Sequence, residues 1–274
     1  MLKLVLFAPT DRSLYSRLLA ELIVCEEGFV LGGIVARRML SWKRIRGELR
    51  RDGPRLLRKV ARKLVLGEEH TETAQPDSLA ALAFLEGLRA PTLSRLARQH
   101  GVPYMKTIDH NQPVVEEALR AMAPDIIVFT GGGLIRKNIL AVPTLGILNC
   151  HAGLLPQYRG MDVVEWPVLE AEDAVPQIGL TCHYMDKGVD TGPILTLRRM
   201  QVFPGDDFKT LRRRIEPEMV RLMMATLRGI EAGDVTPLEQ ADEDGRQYFV
   251  MHPRLKMYAE RKLAQLSNSL RSLQ

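Results

Sequence analysis

Asn149 and His151 stand two residues apart at the end of an apolar run, Gly146–His151 (GILNCH). In an extended strand that spacing points both side chains to one face. A loop punctuated by glycine follows at once, Gly153-Leu154-Leu155-Pro156-Gln157-Tyr158-Arg159-Gly160. Further on, Lys187-Gly188-Val189-Asp190-Thr191-Gly192-Pro193 forms a second loop, with Asp190 between glycines. A carboxamide, an imidazole and a carboxylate gathered in one pocket suit acyl transfer. The amide N–H holds a developing oxyanion, the imidazole donates to it, and the carboxylate orients and charges the imidazole. No Ser or Cys nucleophile is needed when the acceptor itself attacks. The same residues also suit a plainer reading, in which Asn149 and Asp190 cap turns and His151 is a satisfied core histidine.

For these groups to meet, the chain must set strand ends side by side. Leu2–Phe7 reads as a buried strand, Leu14, Leu18, Leu19, Leu22 and Ile23 recur at helical spacing, and Phe29–Ala36 is apolar and β-rich. Later, Pro113–Ala123 has helical periodicity and stops at Pro124, and Asp125–Thr130 is a buried strand. Gly131-Gly132-Gly133 leads into a short helix over Leu134–Ala141. Ile178–Met185 and Ile194–Val202 read as strands and Asp206–Glu231 as a long amphipathic helix. Alternating strands and helices with continuous apolar strands predict an α/β fold, an open and mostly parallel Rossmann-like sheet covered by helices on both faces. Ligands in such sheets sit beyond the carboxyl ends of the strands, where Asn149 and His151 fall.

Other motifs lose their force on inspection. The triple glycine fails the dinucleotide pattern, because Arg136 stands where the third glycine belongs and Pro156 where the ribose-binding acid belongs. A tight turn that lets a ligand approach the backbone is the better reading. Cys150-His151 and Cys182-His183 offer at most one ligand each to a given side of a strand, which does not make a zinc site. His110, in Asp109-His110-Asn111, reads as part of a polar turn.

The 274 residues are 46% apolar and 26% charged, an ordinary globular composition that excludes disordered and fibrous classes. The net charge of +5 is unevenly spread. Between Arg37 and Lys63 twelve basic residues face only Glu48 and Asp52, a local +10, so the remainder carries −5. The catalytic candidates lie in the negative remainder. Three cysteines and no C-x-x-C favour a reducing, cytoplasmic setting. No apolar run reaches the roughly 18–20 residues of a membrane span, and the start reads as a strand rather than a signal peptide. The expected organisation is a catalytic domain over 1–233 with a basic helical insertion at 37–67. A short extension over 234–274 would hold a strand at Tyr248-Phe249-Val250 and a final helix from about Leu255.

The linked pattern reaches further than its parts. Asn149-Cys-His151-Ala-Gly-Leu-Leu-Pro-Gln-Tyr-Arg-Gly160, then Gly179-Leu-Thr-Cys-His183 and Gly188-Val-Asp190-Thr-Gly-Pro-Ile-Leu195, resembles the 10-formyltetrahydrofolate-dependent formyltransferase family. That family includes the glycinamide ribonucleotide, methionyl-tRNA and sugar-nucleotide N-formyltransferases. The resemblance is strong over Pro124–Val202, weaker in the opening β-α-β and absent from the basic segment. It implies a formyltransferase-type fold, 10-formyltetrahydrofolate as formyl donor, and Asn149, His151 and Asp190 as the catalytic trio. The family's folate-contacting loops fall on Gly133, Leu134 and Ile135 and on Asp186, Lys187, Gly188 and Val189. In this reading the acceptor amine attacks the formyl carbon, Asn149 and protonated His151 stabilise the tetrahedral oxyanion, and Asp190 raises the His151 pKa. Gly153 departs from the family, which usually has Ser there, and so puts the local hydrogen bonding in question.

The acceptor must be read from differences within the family. Ala8-Pro9-Thr10-Asp11-Arg12 lacks the glycine-rich phosphate turn of the glycinamide ribonucleotide enzymes and places an acid where phosphate sits. The tail is too short for the C-terminal barrel of methionyl-tRNA enzymes. An amine of an amino-sugar nucleotide or similar small molecule is therefore the expected acceptor. A methionyl-tRNA formyltransferase lacking the barrel is the alternative, and a formyltetrahydrofolate hydrolase using water is a second. The basic segment reads as a solvated helical face, or as a contact for a phosphorylated or nucleotide-linked acceptor, with tRNA and anionic membrane as further partners. The apolar Tyr248, Phe249 and Val250 offer a face for a homodimer.

Overall fold

The computed structural model describes residues 1–38, 75–171 and 176–271. The basic segment read at 37–67 lies outside the described residues apart from Arg37 and Arg38. Seven strands form the main sheet: β1 (Leu2–Ala8), β2 (Phe29–Arg37), β3 (Tyr104–Thr107), β4 (Ile126–Phe129), β5 (Gly146–His151), β7 (Gly179–Tyr184) and β8 (Ile194–Arg199). Their order is β3-β2-β1-β4-β5-β7-β8. The first five are parallel; β7 runs antiparallel to β5, and β8 antiparallel to β7. The short β6 (Tyr158–Gly160) pairs with β9 (Arg246–Tyr248) in a separate parallel ribbon.

Strand alternation sorts the core into two layers. On β1, Leu4, Leu6 and Ala8 join one cluster with α1 (Leu14–Cys25) and α7 (Phe208–Ala232), while Val5 and Phe7 join another with α4 (Pro113–Met122). The sheet is thus covered on both faces, as the sequence pattern requires. Helix ends follow capping chemistry. Ser13 accepts from Ser16 N at the start of α1, Pro113 opens α4, and Asp207 and Thr210 form a capping box on α7, which stops at Gly233. Among the described residues no helix is long and apolar enough to cross a membrane.

Several elements differ from the sequence reading. α2 (Leu79–Leu85), α3 (Leu93–Gln99) and β3 have no counterpart in it, because runs of four to seven residues carry too little periodicity. The helix after the triple glycine, α5, shrinks to Lys137–Leu140, since Asn111 holds the Leu134 carbonyl and the Arg136 N–H out of helical pairing. The tail strand is Arg246–Tyr248, not Tyr248–Val250: pairing with β6 sets its register and leaves Phe249 and Val250 exposed. α8 (Pro253–Arg271) then packs Ala259 and Leu263 into the core and sends Lys256 to Glu165 of α6 (Glu165–Glu170).

His110 is the sharpest departure. It is fully buried rather than part of a polar turn, stacked on Phe7 at 4.2 Å, with Nε2 donating to the Val35 carbonyl at 3.2 Å. Burial, opposed by the Val35 carbonyl and helped by Arg37, pushes its pKa down to about 4. Between that value and the ordinary 6.5 the unfolded chain binds a proton that the folded chain refuses, so stability falls as pH falls through this window. Urea unfolding of the wild type at pH 7 and pH 4.5 should differ, through this group alone, by up to about 3 kcal/mol. His110→Phe should flatten the pH dependence by that share. Parallel pH curves for the two proteins would contradict the assignment.

Candidate active site

The site lies where β5 ends, at the carboxyl edge of the parallel strands. Asn149 and His151 project to the same face of β5, and Cys150 between them faces the core. Asp190, from the loop between β7 and β8, reaches under them with Oδ2 at 3.4 Å from His151 Nδ1. The structure therefore brings together the three residues selected from sequence. It adds a fourth. β7 runs antiparallel beside β5 in a register that pairs Asn149 with His183. His183 Nε2 accepts from Asn149 Nδ2 at 3.1 Å and lies 3.4 Å from Asp190 Oδ1, while Nδ1 donates to the Tyr184 carbonyl at 2.9 Å. One carboxylate is shared by two imidazoles. The sequence reading weighed His183 only as a metal ligand; its strand's antiparallel register was the missing signal.

Each lone pair of Asp190 that faces the interior is met. Burial pushes its carboxyl up, but His183, the charge of His151 and the Gly160 N–H (2.9 Å to Oδ2) together hold it below the ordinary carboxylate value. Its backbone is left-handed, with φ 55°, an uncommon conformation for a residue that bears a Cβ. His151 is 8% exposed, and both of its nitrogens face protein: Nε2 donates to the Tyr158 carbonyl at 2.8 Å and Nδ1 faces Asp190. Burial lowers its pKa further than Asp190 and Tyr158 raise it. The expectation that Asp190 lifts His151 above its ordinary pKa is thus corrected: the carboxylate pushes upward, and desolvation wins.

Gly153 explains itself in this geometry. A Cβ there would lie 2.8 Å from both His151 Nε2 and the Tyr158 carbonyl oxygen, and 3.0 Å from Val163 Cβ. The space that a serine side chain would fill is the space in which the ring meets β6.

The two loops assigned to the donor flank this cluster. Gly131, Gly132 and Gly133 all have positive φ, and a Cβ on Gly132 would strike His110 and Arg37. Asn111 pins the loop by donating to the Leu134 carbonyl and accepting from Arg136 N. Arg37 Nη1 donates to the Gly132 carbonyl. Leu134 is exposed and Ile135 buried. In the second loop Asp186 accepts from Gly188 N at 3.0 Å and from Thr191 Oγ1 at 2.7 Å, which closes the turn over Lys187, Gly188 and Val189. Asp186 thus shapes the loop with its side chain. Among the described residues no interaction uses the N–H groups of Leu134 and Ile135, so backbone donors stand open at the mouth.

The turn after β1 is closed to an anion. Asp11 Oδ1 accepts from Ser94 N (2.9 Å) and Tyr104 Oη (2.7 Å), and Oδ2 from Ser94 Oγ (3.0 Å), with Lys106 at 3.2 Å.

Comparison with known proteins agrees with this geometry. A methionyl-tRNA formyltransferase of Trichlorobacter lovleyi is 35% identical over 156 residues, 57% of this chain and 48% of that protein. The chain spans about half the length of the curated relatives it matches. Glycinamide ribonucleotide transformylase 1 of Symbiobacterium toebii superposes with a TM-score of 0.55 at 22% identity, covering 87% of this chain and 95% of that one. The sugar 3N-formyl transferase WlaRD gives 0.56 at 13% identity, covering 96% and 79%. At these identities the two structures speak for the fold. The Formyl transferase family model matches residues 82–227, more than half of the sequence and all of the strands that carry Asn149, His151 and His183. The chain belongs to the formyl transferase family.

Proposed function

We propose that this protein transfers a formyl group from 10-formyltetrahydrofolate to an amine, with Asn149, His151 and Asp190 as the reacting-centre residues. The observation that carries the reading is the convergence of these side chains, with His183 behind them, at the carboxyl edge of the sheet. The donor would lie against Gly133, Leu134 and Ile135 on one side and Asp186, Lys187, Gly188 and Val189 on the other. The open N–H groups of Leu134 and Ile135 suit the hydrogen-bonding edge of its pterin. Bound there, 10-formyltetrahydrofolate would supply the formyl carbon and a nitrogen leaving group, so that one C–N bond forms as another breaks.

The chain's own groups divide the work. Asn149 has two amide protons; one goes to His183 Nε2 and the other is free for the negative charge that develops on the formyl oxygen. The attacking amine must lose a proton. Its nearest resting place is between His151 Nδ1 and Asp190 Oδ2, which face each other at 3.4 Å with the Nε2 proton already committed to Tyr158. From that slot the proton returns to the departing nitrogen, so the site ends the cycle as it began.

For the acceptor, we infer an amino-sugar nucleotide or a similar small molecule. The Asp11 carboxylate fills the turn after β1 and repels a phosphate there, which speaks against a phosphoribosyl acceptor. Methionyl-tRNA is the second reading, favoured by the 35% identity to an enzyme of that name. Incubation with 10-formyltetrahydrofolate and, separately, amino-sugar nucleotides, glycinamide ribonucleotide, charged initiator tRNA and buffer should deformylate the donor only with the sugar nucleotides. Turnover with tRNA alone would transfer the assignment to the second reading, and turnover in buffer would make the protein a hydrolase.

With the turned-over acceptor, Asn149→Ala and His151→Ala should each lower kcat by about 10²–10³-fold while circular dichroism stays native. Near-normal turnover in either would sink the reading. Because the base must be unprotonated to accept, kcat should fall as pH drops through a midpoint below 6.5, the ordinary histidine value. Asp190→Asn removes the charge that pushes His151 up, so the limb of its residual activity should move to lower pH. A limb that instead rises toward acid would show that the imidazolium is the working form.

A further inference from the structure

Asp190 holds a left-handed backbone although it bears a Cβ, and such a conformation persists only where its surroundings over-determine it. Its side chain is held by Gly160 N–H and the two imidazoles. Its main chain is held from elsewhere. Gln240 Nε2 donates to the Gly192 carbonyl at 2.6 Å and to the Asp190 carbonyl itself at 3.2 Å. The Gln240 Oε1 in turn accepts from Arg159 Nε at 3.3 Å, and Arg159 Nη2 donates to the Ala241 carbonyl at 2.8 Å. Arg159 is a buried guanidinium on β6, the strand whose neighbours supply the Tyr158 carbonyl to His151 and the Gly160 N–H to Asp190. Two further bonds fix where Gln240 starts: Leu238 and Ile194 exchange backbone hydrogen bonds, each 2.8 Å. One side chain thus ties the Asp190 loop to β6. It lies beyond residue 227, where the family match ends.

We propose that Gln240 is a positioning residue for Asp190, setting the carboxylate against His151 and His183 by holding the main chain at Asp190 and Gly192. The proposal rests on the functional reading above, in which Asp190 takes part in the reaction. Only a group that both donates to two carbonyls and accepts from Arg159 fits, and a carboxamide does so while a carboxylate cannot donate.

Gln240→Ala and the isosteric Gln240→Glu, in the full chain, test this beside Asp190→Asn. Both Gln240 variants should lower kcat by about 10²-fold, the scale of a misplacement of about 1 Å, with the KM for 10-formyltetrahydrofolate within twofold. In the ligand-free protein, nitrogen-15 NMR of labelled histidine should show the His151 midpoint falling, because a displaced carboxylate no longer pushes it up. If Asp190→Asn is inactive while either Gln240 variant keeps wild-type kcat and His151 titration, the inference fails and the functional reading stands. A lower thermal midpoint with unchanged kcat and titration would leave Gln240 a purely structural residue and equally overturn it, as would loss of cooperative unfolding in both variants. Wild-type kcat in Asp190→Asn would instead bring down the functional reading, and the proposal with it.

Discussion

The Asp190 carboxylate, buried between two imidazoles, constrains everything around it. Taking a carboxylate out of water costs several kcal/mol unless its oxygens find partners of good geometry. Oδ2 meets His151 Nδ1 and the Gly160 N–H, and Oδ1 faces His183. Those partners come from three strands that are distant in sequence, so no local folding could supply them. β5 must end where the 153–160 loop can turn back as β6. β7 must lie antiparallel against β5, because a parallel neighbour would reach the site with its other end. The switch from parallel to antiparallel in the sheet is what places His183 opposite Asn149.

The same dependence separates what the sequence reveals from what it hides. Asn149 and His151 are legible because a spacing of two in a strand is a statement about direction, and Asp190 because its loop carries a recognisable pattern. The buried β-strands and long helices are legible for the same local reason: β1 and β4 are continuous apolar runs, and α7 is long enough to show its period. His183 is equally plain as a letter, but its role depends on which strand lies beside it and in which direction. His110 sits in a polar dipeptide context yet stacks on Phe7 across the sheet face, a contact that no local pattern encodes. β6 and β9 are three residues each, paired across some of the longest separations in the chain, and three residues cannot display alternation.

That ribbon also changes the standing of the C-terminal extension. Residues 234–250 read as an appendage because they lie outside the region that resembles other formyltransferases. In the folded chain Tyr248 stacks on Tyr158 at 5.4 Å, Trp166 Nε1 donates to the Phe249 carbonyl, and the Met161 N–H donates to the Tyr248 carbonyl. Each contact falls on the stretch between Tyr158 and Trp166, immediately beside the residues that hold His151 and Asp190. An element can therefore lie outside a shared motif and still determine the geometry in which that motif works.

The protonation of His151 shows how finely that geometry is balanced. Desolvation and the neighbouring His183 push the ring toward neutrality, while Asp190 and the Tyr158 carbonyl push it toward the charged form. The first influence depends on water exclusion, the second on distances of a few ångströms. A ligand that covers the site strengthens both, because removing water raises the desolvation penalty and also lowers the dielectric through which Asp190 acts. Negative charge developing on a bound carbonyl then adds to one side only. A ring that rests neutral is for that reason able to take a proton during reaction and release it afterwards, which an imidazolium already paired with a carboxylate could not do without first losing that proton.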